Sequence, residues 1–444
     1  MSRLITSFSF AAILAMSVQA SADALSIIHA GTLIVRADQP SQPEKTLLVR
    51  DGLIERIADG YLSAAELGVV EVDDLKTYDL KNRAVMPGFI DGHVHITSRA
   101  VMGSTSARRS LDMVQFSSAD WLLMGVAHSR DTVEAGFTTV RDLSTRSTDA
   151  MKALKRGIKS GVFVGPRIIS AGYGITPTGG HMDRSLGFRD DLRPGLITSG
   201  VCDGIDDCRR AVRKQVRAGA EAIKITATGG VLSNVAAGLG QQFTDEELKA
   251  IVDTAHNFGL KVTAHAHSNA GIQAALNAGV DSIEHGTFLD AQTLKLFEKY
   301  DAYLVPTLLA GEGVKLLAEK PGALSVASRV KARQAGNKMM ESAQLAHQKG
   351  VKIAFGSDTG VTSHGENARE FDLLVEAGLT PQEALISGTI YAADNLGLLD
   401  QIGTLEPGKK ADIIALVADP YEDISRVHQV KFVMVQGRLV KYEP

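Results

Sequence analysis

Cysteine is almost absent: in 444 residues only Cys202 and Cys208 occur. Their spacing in VCDGIDDC suits neither a CxxC redox pair nor a zinc ribbon, which removes thiol redox chemistry and a cysteine-held metal. The two thiols can close a short-loop disulfide in an oxidising compartment. Equally, both can stay reduced, with Cys208 on a helix that begins near Asp206 and Cys202 on the loop before it; either arrangement fits the spacing. A surplus of positive charge is missing too. Lys plus Arg number 47 against 51 for Asp plus Glu, a formal net charge of −4, and no basic run is interleaved with aromatics as in a nucleic-acid grip. The expected partner is therefore a small molecule, with no nucleic acid. No GxxxxGK[ST] loop occurs and no strand-like run leads into GxGxxG, so a nucleotide-binding sheet is the weaker α/β alternative.

Long apolar runs are also lacking once the first residues are passed. Those residues, MSRLITSFSFAAILAMSVQASADA, carry a positive charge at Arg3, then an apolar stretch, then Ala20-Ser21-Ala22 in an A-x-A arrangement. The pattern predicts a cleaved signal peptide over 1–22, because the apolar stretch is short for a membrane span. The mature protein is then expected to be soluble, free of the membrane, and exported to a periplasm or secreted.

What is present is alternation. Short strand-like runs at one end, SIIHAGTLIV and TLLVRDGLIERIA with an Asp51-Gly52 hairpin signal, are matched at the other by ADIIALV and VKFVMVQGRLVKY with Gln436-Gly437 as the turn. Such ends predict a composite β-sandwich domain built from 23–85 and 402–444. Between them GFIDGHVHI, FTTVRDL, PRIISAG, EAIKITATGG, KVTAHAHS, DSIEHGT, AYLVPTLLA and KIAFGSDTG read as eight strands separated by helical segments, most of which end in glycine. That order predicts an α/β fold, a (β/α)8 TIM barrel over 86–401.

Barrel chemistry sits where strands give way to loops. There the sequence places His93 and His95, Lys224, His265 and His267, His285, and Asp358. In His93-Val94-His95 the two imidazoles share one strand face. Taken singly each has a plain alternative: His285 as a core histidine, Asp358 as a helix N-cap, Lys224 as a lysine reaching a loop carboxylate. Together, at successive strand ends of one barrel, they point to a shared metal site. Glu284, adjacent to His285, should point to the opposite face and be structural. The loops after strands three and four are rich in glycine. Tyr173 and His181 there are candidates to bind a substrate carboxylate or carbonyl oxygen, and His364 in TSHGEN is a further candidate. Their alternative is packing on the barrel rim.

The motifs PGFIDGHVH, IKITATGGV, HAHS, EHGT, GSDTG and IGTLEPGKKADIIAL, in this order, resemble the metal-dependent amidohydrolase superfamily over nearly the whole chain after the first residues. The likeness is greatest to its imidazolonepropionase-like branch with a lysine on strand four, which contains Xaa-Pro and Xaa-Lys or Xaa-Arg dipeptidases, carboxypeptidases and the ochratoxin-hydrolysing amidase. The resemblance implies that His93, His95 and Asp358 hold one divalent ion and His265 and His285 another. Lys224, carboxylated by CO2, would bridge both, since a plain ammonium has donors and no lone pair. It also assigns the ligand role on strand five to His265, leaving His267 to touch substrate. Zinc fits this nitrogen and oxygen set best, and manganese or cobalt can occupy it.

The reaction so implied is hydrolysis of an amide or peptide bond that releases a C-terminal amino acid from a dipeptide or N-acyl amino acid, with Asp358 moving the proton. Two other readings remain: a detoxifying amidase or lactonase using the same site, and a barrel kept as a non-catalytic module. By analogy alone, a homo-oligomer is expected.

Overall fold

The computed structural model describes residues 25–69, 75–233 and 238–444; the expected signal segment, 1–22, lies outside them. The described chain starts with β1 (Leu25–Leu33), β2 (Gln42–Arg50), β3 (Leu53–Asp59) and β4 (Lys76–Pro87). Seven further strands follow: β5 (Phe89–Val94), β6 (Phe137–Asp142), β7 (Arg167–Ser170), β8 (Ile223–Thr226), β9 (Val262–Ala266), β10 (Ser282–His285) and β11 (Tyr303–Val305). The chain closes with β12 (Ile413–Leu416), β13 (Val430–Val435) and β14 (Arg438–Tyr442).

Strands from both ends share one seven-stranded sheet in the order β14-β13-β12-β4-β1-β2-β3. Two of its hairpins, β2-β3 and β13-β14, each turn through the two residues the sequence marks. Asp51 and Gly52 take φ of 52° and 77°, and Gln436 and Gly437 take 51° and 76°. Two successive left-handed residues match the twist of the strands they join. At the seam, β4 pairs parallel with β1 and antiparallel with β12. Ile28, Leu47, Ile54, Val85, Ile413 and Phe432 bury their side chains in one cluster there.

The central strands are parallel throughout. They form a three-stranded sheet, β5-β6-β7, and a four-stranded one, β11-β10-β9-β8. A bridge between Ile175 and Ile225 links the two, with the Ile175 N–H donating to the Lys224 carbonyl at 2.7 Å. On the far side, residues 353–359 meet β11 through Ile353 and Leu304 and meet β5 through Thr359 and Val94. The expected eighth strand thus makes single bridges in place of a ladder, since φ of 55° at Asp358 breaks its extended backbone.

The helices between strands follow from capping and spacing. In Asp245–His256, Thr244 and Glu247 form a capping box, and Leu248, Ile251, Val252 and Ala255 fall on one buried face. Burying a leucine or isoleucine in this way contributes about 1.5–3 kcal/mol. Helix Asn269–Ala278 ends at Gly279, whose φ of 96° supplies the left-handed cap. Cys208 lies on helix Ile205–Arg217, and it is disulfide-bonded to Cys202 on the preceding loop. No helix among the described residues is long and apolar enough to cross a membrane.

Candidate metal centre

Two groups of ligand-bearing side chains meet at the strand ends. His93, His95 and Asp358 bring their donor atoms within 4.8 Å of one another, and so do His265, His267 and His285. Asp358 Oδ1 lies 3.6 Å from His93 Nε2 and 3.2 Å from His95 Nε2. The two groups adjoin, since the His93 and His285 rings are 5.2 Å apart. Strand β9 and the residue just past its end deliver two histidines here: the His265 and His267 rings lie 4.6 Å from each other and 4.6 and 5.0 Å from His285. Geometry alone therefore brings His267 in with His265.

Hydrogen bonds fix which nitrogen of each ring is free. His93 Nδ1 donates to Glu284 Oε2 at 2.7 Å, which leaves Nε2 facing Asp358. Thr307 donates its hydroxyl to the Pro306 carbonyl at 2.8 Å and so accepts from His285 Nδ1 at 2.7 Å, freeing Nε2. His265 Nε2 sits 3.4 Å from the Gly229 carbonyl, which can only accept, so its lone pair is on Nδ1. Supporting bonds of this kind orient metal-ligating imidazoles.

Electrostatics keep those lone pairs available. Burial, then the positive charge of Lys224, pushes the His93 pKa down to about 4. Burial and neighbouring histidines hold His265 and His285 well below the ordinary 6.5. Neutral imidazole is the form that binds a metal. Lys224 itself is buried, and its Nζ has no hydrogen-bond partner. Burial lowers its pKa to about 8, so an appreciable fraction is neutral amine near that pH. An orphaned buried amine beside two clusters of neutral imidazoles and a carboxylate is a donor set that suits two divalent cations once the amine becomes an anion.

Two buried acids that the strand pattern does not single out hold this set together. Glu284 was expected to face away from His285. Instead both reach the interior, because His285 takes φ of 72° and leaves the strand's alternation. Glu284 also accepts from Ser282 Oγ at 2.8 Å, from the Thr263 hydroxyl and from Arg141 Nη2 at 3.2 Å. Burial alone would raise its pKa, but the His93 hydrogen bond and the Arg141 charge hold it at about 2. Asp91 accepts the N–H of His93 and of Ser357, each at 3.0 Å, and so ties β5 to the segment that carries Asp358. Its place in FIDGHVH, on the face of His93 and His95, is the one signal that could have found it.

The centre opens into a cavity of about 570 Å3 whose walls include His93, His95, Lys224, His265, His285 and Asp358. Among the expected substrate residues, His267 and His181 line it. The His181 ring stacks on His265 at 4.2 Å, and its Nδ1 lies 2.9 Å from Ser233 Oγ. Gly230 makes room for it, since a Cβ there would meet His181 Cε1 at 2.1 Å. Tyr173 and His364 stand apart from the cavity wall. Tyr173 lies under the Arg184 guanidinium at 4.9 Å, and His364 stacks on His128 at 4.2 Å.

The amidohydrolase family model matches residues 84–440. A curated relative, the ochratoxinase of Aspergillus niger, is 35% identical over 324 residues, covering 68% of this chain and 64% of that protein. The chain thus spans slightly less than two thirds of that relative's length. Among solved structures, a Xaa-Pro dipeptidase with methionine bound in its active site has a TM-score of 0.85 at 35% identity, over 95% of this chain and 100% of the other. A prolidase complexed with N-methylphosphonate-L-proline has a TM-score of 0.82 at 30% identity, over 94% and 100%.

Proposed function

We propose, from the premise that this chain belongs to the amidohydrolase family and is a hydrolytic enzyme, that it is a binuclear metal-dependent amide or peptide hydrolase. Its substrates are dipeptides or N-acyl amino acids, from which it releases the C-terminal amino acid. The observation that carries this reading is the buried, unpartnered amine of Lys224 beside the two ligand groups.

His93, His95 and Asp358 would hold one ion and His265 and His285 the other, with zinc the metal that fits best. The neutral Lys224 amine would add to carbon dioxide and lose a proton, giving an anionic carbamate that could serve as a ligand where a plain ammonium cannot. When bound, the ions polarise the scissile carbonyl and lower the pKa of the attacking water. Asp358 would take a proton from the attacking water as its oxygen bonds to the carbonyl carbon, and would deliver it to the departing nitrogen as the C–N bond breaks, leaving a carboxylate and a free amine. His267 and His181 orient the substrate through Nε2, since their Nδ1 atoms are engaged by Thr287 and Ser233.

The same premise reads the two parallel sheets and residues 353–359 as one (β/α)8 barrel over 86–401, with a composite β-domain from 23–85 and 402–444. The Cys202–Cys208 disulfide supports an exported protein whose residues 1–22 are removed, and a homo-oligomer completes the proposal. A second reading, hydrolysis of an ochratoxin-type aromatic amide, is favoured by the identity to ochratoxinase.

Mass-spectrometric screening of the purified protein against a mixed library of dipeptides and N-acyl amino acids, with ochratoxin as a separate arm, tests both. Two metals per chain with every library member intact would end the first reading; intact ochratoxin would end the second.

A further inference from the structure

The cavity that opens from the candidate centre carries a second set of groups on its wall. Arg109, Arg146 and Arg184 all line it. They come from three separate elements: Arg109 from helix Ser106–Gln115, Arg146 from the loop after β6, Arg184 from the loop after β7. Each is half-buried, and none lies within 4 Å of a carboxylate among the described residues. Burial costs a guanidinium hydration that a countercharge restores, so three half-buried ones around one cavity, with only neutral partners such as the Tyr173 ring under Arg184, offer a place for an anion from outside.

The acids nearby are already committed. Asp112 is held by Arg99 and Arg108. Asp142 accepts the Ile96 N–H at 2.8 Å through Oδ2; its Oδ1 has no hydrogen-bond partner among the described residues, and its charge reaches Arg146 and Arg184 only from a distance. Asp183 serves its own loop, accepting from Ser185 at 2.9 Å and from the Gly179 N–H at 2.9 Å. The arginines are instead held in place by neutral groups, which fix the forks without neutralising them. Arg109 donates to the Ser104 carbonyl at 3.0 Å, Arg146 to Ser98 Oγ at 2.9 Å, and Arg184 to the Arg146 carbonyl at 2.9 Å. Burial and mutual repulsion lower the pKa of both Arg146 and Arg184, the signature of cations held together out of water.

One carboxylate has two oxygens and is saturated by one or two forks. Three clamped guanidinium groups therefore exceed what the α-carboxylate of a released amino acid requires. We propose, resting on the hydrolase reading above, that Arg109, Arg146 and Arg184 form a subsite for a second negative charge, so that the preferred substrates are amides whose leaving amino acid has an acidic side chain. Glutamyl and aspartyl leaving groups are then selected over their uncharged amide isosteres, which fill the same space but leave the forks unpaired.

The test uses the full metal-loaded protein with matched pairs, N-acetylglutamate against N-acetylglutamine and Ala-Glu against Ala-Gln. Both kcat/KM for hydrolysis and calorimetric affinity for the acetylated pair are read. The wild type should favour the acid by roughly ten- to a hundredfold, the range of one or two charge-assisted hydrogen bonds. Arg146→Gln and Arg109→Gln should each shrink that ratio towards unity, whereas a folding defect lowers both members of a pair alike and keeps the ratio. Hydrolysis of neutral leaving groups with no acid preference overturns the subsite and leaves the hydrolase reading standing. Acid-selective binding without turnover of any amide, lost in the arginine variants, upholds the subsite and removes the hydrolase reading. Neither selective binding nor turnover overturns both.

Discussion

Glu284 Oε2 lies 2.7 Å from Nδ1 of His93 while its other oxygen faces Arg141 Nη2 at 3.2 Å. One buried carboxylate thus aims the ring of a candidate metal ligand and neutralises a buried guanidinium. Replacing it by its amide, Glu284→Gln, should weaken metal affinity by roughly ten- to a hundredfold, as loss of an outer-shell partner does. Chelator competition reads that change. Melting temperature should fall as well, because Arg141 loses its countercharge in a dry site. Unaltered metal affinity would mean that the contact is structural only.

Lys224 is expected to be chemically changed in the working enzyme. Protein loaded with metal in 13C-bicarbonate should show a carbamate carbon signal by NMR, and Lys224→Ala should lose that signal, hydrolysis and most bound metal together. A Lys224→Ala protein that keeps two metals and turns over substrate would remove the bridge from the mechanism.

Gly230 leaves the space that His181 occupies. Gly230→Ala places a methyl where the imidazole edge now sits, so the ring must leave its stack on His265. Since a displacement of about 1 Å near reacting atoms can lower rates by roughly a hundredfold, kcat/KM should drop steeply with metal content unchanged. Equal activity in this variant would show that His181 takes no part in orienting substrate.

The disulfide closes a loop of only a few residues, for which chain entropy gives about 2 kcal/mol of stabilisation. It anchors the end of the loop that supplies His181 and Arg184. Reduction should therefore lower the melting temperature by a few degrees, measured by calorimetry with and without dithiothreitol. No shift would indicate that the loop is held by its other contacts.

Much of this site is legible along the chain. Strand alternation carries His93, His95, Lys224 and His265 to one interior, and both hairpin turns are written in their dipeptides. What escapes is whatever depends on leaving regular geometry or on distant elements meeting. Glu284 shares the interior with His285 only because a single residue takes a left-handed conformation. Asp91 looks like one more strand residue until Ser357, 266 positions later, is seen to donate to it. Arg109, Arg146 and Arg184 belong to a helix and two loops with no common spacing, so only the folded chain collects them. Tyr173 and His364 have the chemistry and the loop positions, but their rings meet Arg184 and His128 rather than the cavity wall, a placement no spacing reveals.

The seam between β4 and β12 joins residues 84–87 to residues 413–416. During synthesis the four N-terminal strands emerge first, and the edge of β4 then has no partner until almost the entire protein has left the ribosome. An unprotected strand edge is a template for intermolecular pairing. Nascent or truncated chains ending between residues 358 and 413 should therefore depend on chaperones, although every proposed metal ligand is already present in them.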